Sequence, residues 1–228
     1  MQLVQASISF FLFLLSSSLH FPFLSHIIVV FTQGGILMNI CLYGASSPDI
    51  DSIYIEAVEE LGRQMARRGH SMVYGGGANG LMGAAARGMS AEGGHIIGVA
   101  PKFFDNPGIL YEKCDDFIFT ETMAERKQIM EDKADAFLVV PGGIGTYEEF
   151  FQVLTLKQLK QLNKPIGIFN VNRYYDAMDA LLRQTVENGF MREGCLHIYG
   201  LFEEAENLLT YLEEELKAPL NLDHLKFF

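Results

Sequence analysis

The chain has 228 residues, 49% of them hydrophobic, which suits one α/β domain with a sizeable core and is too short for two large ones. Its formal net charge of −11, with no cluster of Lys or Arg, argues against a nucleic-acid-tracking surface, because that affinity comes from cations neutralising phosphates. One small bound phosphate stays compatible with this balance, since a helix N-terminus and a single Arg can make a local positive site. Cys41, Cys114 and Cys195 are scattered and form no CxxC pair, which gives neither a disulfide framework nor a zinc site. The six histidines show no HExxH-like spacing, so no protein-held metal and no cofactor are expected.

Residues 1–37 contain no Asp, Glu, Lys or Arg and carry the apolar runs Ile8–Leu15 and Ile27–Phe31. A secretory signal needs a positive n-region, which is missing here. Ser16–Ser18, His20 and Pro22 divide the stretch into runs too short to span a bilayer separately. The preferred reading is a mis-assigned start, with the domain beginning at Met38 and residing in the cytoplasm. A membrane-anchored form of the same domain is the alternative if 1–37 is translated.

From Met38 onward the pattern alternates strand and helix. Asn39–Tyr43 reads as a strand ending in the small-residue turn Gly44–Ser47. Ile53, Ala57, Leu61 and Met65 recur at helical spacing within Ile50–Arg68, and Gly69 stops that helix. Ser71–Tyr74 is a second strand running into Gly75, Gly76 and Gly77, and Gly80–Ala91 is a small-residue helix able to pack close to the sheet. Ile96–Val99 is a strand, Lys102–Lys113 a loop over one edge, and Phe117–Phe119 a short strand. Met123–Lys133 is a helix, Ala136–Val140 a buried strand, and Tyr147–Leu162 a long helix that offers a dimer surface. Pro165–Phe169, Tyr174–Asn188, His197–Tyr199 and Glu203–Lys217 complete the series as strand, helix, strand and acidic helix. Tyr174 and Tyr175 read as packing residues.

Strands separated by helices call for parallel pairing with right-handed crossovers, hence a doubly wound, Rossmann-like α/β sheet in a single domain, residues 38–228. Ligands bind such sheets beyond the carboxyl ends of the strands, where strand order reverses. The three turns Gly44–Ser47, Gly75–Gly80 and Gly142–Thr146 all follow strands, so all three open on that edge.

Pro141–Glu149, with the sequence PGGIGTYEE, is the most informative of the three. Gly142 and Gly143 allow a sharp turn and close backbone approach to a ligand. A helix starting near Gly145 or Thr146 then aims free N–H groups and its positive dipole end at the same place, a natural seat for phosphate. Thr146 and Glu149 also fit the Thr-x-x-Glu capping box, which leaves Glu149 open between cap and chemistry. Gly76 and Gly77 in the second turn are further candidates for ligand contact. Arg126 and Lys127 are adjacent and point to different helix faces. Arg126 is the better phosphate or carboxylate partner because its planar fork binds bidentately.

Together, the GGG-x-x-GLMG turn of Gly75–Gly83, the Arg126–Lys127 pair and the PGG-x-GT-x-x-E segment of Pro141–Glu149 resemble the Lonely Guy family. Those proteins are cytokinin riboside 5′-monophosphate phosphoribohydrolases, often mislabelled lysine decarboxylases. The resemblance runs from Met38 to about the terminal helix. It implies a homodimer that hydrolyses N6-modified adenosine 5′-monophosphate, or AMP itself, to free base and ribose 5-phosphate. It makes Arg126 and Glu149 the catalytic pair and assigns the phosphate turn to Gly142, Gly143, Gly145 and Thr146. Lys127 and Thr155 match positions lining the nucleotide pocket. Ala124 replaces a frequent His, and Leu156 stands where a Trp is common; both changes bear on base preference.

Two other readings compete. Rossmann-like molybdenum-cofactor carriers share the PGG-x-GT turn without needing a hydrolytic Glu, so a non-catalytic nucleotide or cofactor carrier is the alternative. A lysine decarboxylase would need a lysine Schiff base to pyridoxal phosphate and a partner for the ring nitrogen, and no such constellation is visible.

Overall fold

The computed structural model describes residues 36–225, so the expectations placed on 1–35 lie outside the described residues. Seven strands make one all-parallel sheet: β1 (Asn39–Tyr43), β2 (Ser71–Tyr74), β3 (Ile96–Pro101), β4 (Asp116–Thr120), β5 (Ala136–Val139), β6 (Ile166–Phe169) and β7 (Gly200–Phe202). Their order across the sheet is β4-β3-β2-β1-β5-β6-β7. The chain winds outward from β1 to β4, returns across the sheet, and winds outward the other way from β5. The order therefore reverses between β1 and β5, and the doubly wound α/β architecture is the observed one.

Both faces of the sheet are covered, which is why its strands read as continuous apolar runs rather than alternating ones. Ile40, Leu42, Met72 and Tyr74 face α1 (Ser52–Arg67), α2 (Gly80–Ala91) and α6 (Ala205–Lys217). Cys41, Tyr43, Val73, Phe137 and Val139 face α3 (Met123–Lys133), α4 (Ile144–Gln158) and α5 (Asp176–Glu187). The small residues of α2 serve its approach to α1: a Cβ at Gly88 would lie 2.0 Å from the Glu59 carbonyl, and one at Gly62 would lie 2.4 Å from that of Ala85. Among the described residues no helix is long and apolar enough to cross a membrane.

Two elements differ from the sequence expectation. The last strand is Gly200–Phe202 rather than His197–Tyr199, and Glu193–His197 forms a 3-10 turn. Cys195, Ile198 and Tyr199 are all buried, and their three-and-four spacing is a turn-forming pattern that a short window reads as strand. Helix α4 is Ile144–Gln158, beginning and ending earlier than the expected Tyr147–Leu162, with Lys160 in the left-handed region beyond its end. Ile144 is 87% exposed and Gly145 has no side chain, so the first turn carries no apolar periodicity.

The two helical layers are also joined by one buried ion pair, Lys157 of α4 with Glu215 of α6. Burial lowers the Lys157 pKa, and the Glu215 carboxylate pulls it back up. Removing one partner of such a pair strands a charge in the core, whereas replacing both by apolar groups is far better tolerated. Glu215→Leu should therefore cost about 3–5 kcal/mol of unfolding free energy in urea titrations, and the double variant Lys157→Met/Glu215→Leu much less. Equal losses in the two would contradict this account of the pair.

Candidate active site

The strand-order reversal opens a cleft of about 600 Å³ at the carboxyl edge, lined by parts of all three glycine-bearing turns. Its floor is the β5–α4 connection. Gly143 is the N-cap of α4, with extended backbone and no side-chain cap bond. The leading N–H groups of the helix have no intrahelical acceptor and carry the positive end of its dipole. Thr146 folds back over the turn: a Cβ at Gly142 would lie 2.1 Å from its Oγ1. Positions 143 and 145, by contrast, face open space, with nothing within 4 Å of a built Cβ. Gly142 is thus required by packing, and Gly143 and Gly145 leave room for a ligand.

Thr146 lies inside the helix rather than at its cap, so the capping-box alternative for Glu149 does not apply. Glu149, in the second turn of α4, meets Arg126 instead, with Arg126 Nη1 2.8 Å from Glu149 Oε1. The Arg126 side chain is 9% exposed and that of Glu149 12%, so the pair sits largely out of water.

Arg126 owes its place to the start of α3. Thr122 caps that helix by accepting from Glu125 N–H at 3.1 Å, while the Glu125 carboxylate accepts from Glu121 N–H at 2.9 Å. The guanidinium is fixed on two further sides: its Nε donates to the Val99 carbonyl at 3.1 Å, and Gly75 lies flush against Nη2. Burial pushes the Glu149 carboxyl above its ordinary pKa, an effect that Arg126 opposes without cancelling.

The opposite wall is apolar. The β3–β4 loop brings Phe104, Ile109 and Leu110 to the cleft, where Met82 and Met123 join them. That loop is tied to the second glycine turn: Ala78 N–H donates to Ile109 at 2.9 Å, and Tyr111 N–H to Gly76 at 2.8 Å. Gly76, at φ +75°, packs against Phe117 behind the turn, and Gly77 faces the cleft. The sequence pattern missed this wall because its residues sit in a loop without periodicity.

Arg126, Glu149, Gly77, Gly143, Gly145 and Thr146 are brought together in the cleft lining. Gly76 and Gly142 lie behind it as turn geometry. Lys127 pairs instead with Glu148 and with Gln152, the latter at 2.7 Å. Thr155 is exposed and donates to the Phe151 carbonyl at 2.7 Å. Neither Lys127 nor Thr155 lines the cleft. Among the described residues no three His, Cys, Asp or Glu side chains converge as metal ligands would.

A carboxyl whose pKa rises on folding contributes stability that is present below its unfolded value, 4.5 for Glu149, and is lost as pH climbs through the folded value. Glu149→Gln keeps an acceptor for Arg126 and cannot ionise. The urea midpoint of the wild chain should fall relative to that of the variant as pH rises from about 4 to 7, whatever constant offset the lost charge pair leaves. A difference in midpoint that stays constant over that range would contradict a raised Glu149.

The family described as "Possible lysine decarboxylase" matches residues 82–212. A probable cytokinin riboside 5′-monophosphate phosphoribohydrolase of Oryza sativa subsp. japonica is 36% identical over 82% of this chain and 76% of its own length. The Arabidopsis thaliana cytokinin riboside 5′-monophosphate phosphoribohydrolase LOG2 is also 36% identical, over 77% of this chain and 83% of its own. Among solved structures, the molybdenum cofactor carrier protein of Chlamydomonas reinhardtii superposes with a TM-score of 0.61 at 20% identity, covering 81% of this chain and 99% of that one. The molybdenum cofactor binding protein of Rippkaea orientalis gives 0.59 at 18% identity over 80% and 98%. At those identities the two structures share the fold alone. The identity to the plant enzymes, across most of both chains, places this chain in the Lonely Guy family of cytokinin riboside 5′-monophosphate phosphoribohydrolases.

Proposed function

We propose that the chain hydrolyses the N-glycosidic bond of an adenosine 5′-monophosphate, bare or N6-modified, releasing free base and ribose 5-phosphate. The observation that carries this reading is the Arg126–Glu149 pair, held largely out of water in the same cleft as an open helix N-terminus. The 5′-phosphate sits on the leading N–H groups of α4, an anion site that needs no lysine cluster. The base then lies toward the apolar wall of Phe104, Ile109, Leu110 and Met123. An N6 hydrocarbon substituent finds compatible surroundings there, and so does a bare purine.

As the bond from C1′ to the base breaks, positive charge develops on the ribose ring. A fixed carboxylate in a poorly solvated cleft stabilises that charge more than water would. Glu149 serves this role and accepts the proton of the attacking water, whose oxygen bonds to C1′. Water thereby supplies a hydroxyl to the sugar and a proton, in sum, to the departing base. Arg126 orients Glu149 and anchors the nucleotide, converting binding into alignment at C1′. The proposal extends to a cytoplasmic homodimer built on α4, whose ends leave Ile144 and Leu159 87% and 50% exposed.

The test is release of free base from AMP and from isopentenyladenosine monophosphate, followed by chromatography. The wild chain should release base, and Glu149→Gln should lose about 10³-fold in kcat with nucleotide affinity retained. The rate should also fall on the acid side with a midpoint above the ordinary carboxylate value, because burial raises the Glu149 carboxyl. Nucleotide binding without base release would favour the carrier reading instead.

A further inference from the structure

The β6–α5 connection, residues 170–175, lies at the same sheet edge and has no part in the mechanism above. Asn172 and Arg173 are successive non-glycine residues in the left-handed region, with φ 51° and 58°. That conformation is uncommon even singly and persists where surrounding contacts over-determine it. Here the Asn170 side chain accepts from Tyr175 N–H at 2.7 Å and donates to Asp176 at 2.9 Å. Arg173 Nε donates to Asp176 at 2.7 Å, and Asn172 donates to the Tyr54 hydroxyl at 3.2 Å. This unfavourable turn delivers two adjacent tyrosine hydroxyls to the backbone of the β5–α4 connection.

Tyr175 Oη donates to the Val140 carbonyl at 2.8 Å, and Tyr174 Oη to the Gly142 carbonyl at 2.7 Å. The Pro141 carbonyl between them accepts from Ala45 N–H at 3.1 Å. Three successive carbonyl oxygens are therefore each held by a donor from a neighbouring segment. Of the three peptides, the one joining Gly142 to Gly143 has the least steric restraint. Rotating it changes only the ψ of one glycine and the φ of the next, and glycine tolerates both signs. In a trans peptide the C=O and N–H point opposite ways, so the direction of the Gly142 carbonyl fixes that of Gly143 N–H.

We infer that Tyr174 is a positioning residue for the phosphate seat: its hydroxyl, by holding the Gly142 carbonyl, keeps Gly143 N–H turned toward a bound phosphoryl group. A flipped peptide would present a carbonyl oxygen there and repel the anion. The inference rests on the reading of the β5–α4 turn as the seat of the 5′-phosphate. It predicts a residue that acts on phosphate affinity through the backbone, without touching substrate.

Tyr174→Phe removes the hydroxyl and leaves the ring, which packs edge-on against Tyr54 and Tyr175 at centroid distances of 5.9 and 5.0 Å. Titration calorimetry with AMP and with adenosine, on the wild chain and the variant, isolates the phosphate contribution. The variant should bind AMP about tenfold more weakly and raise its KM alike, the range expected for one lost hydrogen bond at an anion site. Adenosine affinity should hold, while kcat/KM for AMP falls by about tenfold or more. If the variant keeps the wild-type preference for AMP over adenosine, Tyr174 has no such role. Equal weakening of both ligands with a lowered midpoint would make it a structural residue and overturn the inference. If the wild chain itself shows no preference for AMP, the phosphate-seat reading falls, and this role falls with it.

Discussion

The chemistry at the mouth of the cleft depends on which way the peptide groups of residues 140–143 face. A helix N-terminus attracts an anion only if the turn leading into it points N–H groups, and not carbonyls, at the ligand. In this fold that direction is not left to the turn's own sequence, whose adjacent Gly142 and Gly143 make it permissive. It is imposed from outside, by the turn after β1 through Ala45 and by the β6–α5 connection through Tyr174 and Tyr175. The strand-order reversal is what brings those segments together, because it places β1 and β6 on either side of β5.

The second constraint is the Arg126–Glu149 pair. A carboxylate kept largely from water is costly, and the guanidinium beside it offsets only part of that cost, which is why the Glu149 pKa stays raised. The surroundings are built to hold this arrangement. Gly75 leaves room for the guanidinium, Val99 accepts from it, and the Thr122 cap fixes the helix it comes from. A carboxyl whose pKa is raised by burial beside one specific charge partner, in a cleft, is the kind of group found at reactive sites and in structural ion pairs alike.

Much of this was legible in the sequence. The alternation of apolar runs and helical spacings is strong enough to give the doubly wound sheet, and three glycine turns after strands mark its binding edge. What stayed hidden was of two kinds. The apolar wall of Phe104, Ile109 and Leu110 lies in a loop, where no period links residues that become neighbours. Tyr174 and Tyr175 read as packing residues, and their rings do pack, but their hydroxyls reach carbonyls more than thirty positions away, which no local pattern encodes. The misplaced last strand has a local cause, since three buried residues spaced as in a turn look like a strand in a short window. Thr146 followed by Glu149 imitates a capping box, and only the start of α4 at Ile144 separates the imitation from the real cap.

The central claim is that a phosphate held at the start of α4 delivers C1′ of the nucleotide to Glu149. Its most direct test is the ratio of kcat/KM for AMP to that for adenosine, two substrates with the same scissile bond. If binding at the remote phosphate is used to align the reacting atoms, AMP should be favoured by about 10³-fold or more, with part of the difference in kcat. Comparable rates for the two, or no base released from either, would contradict the account.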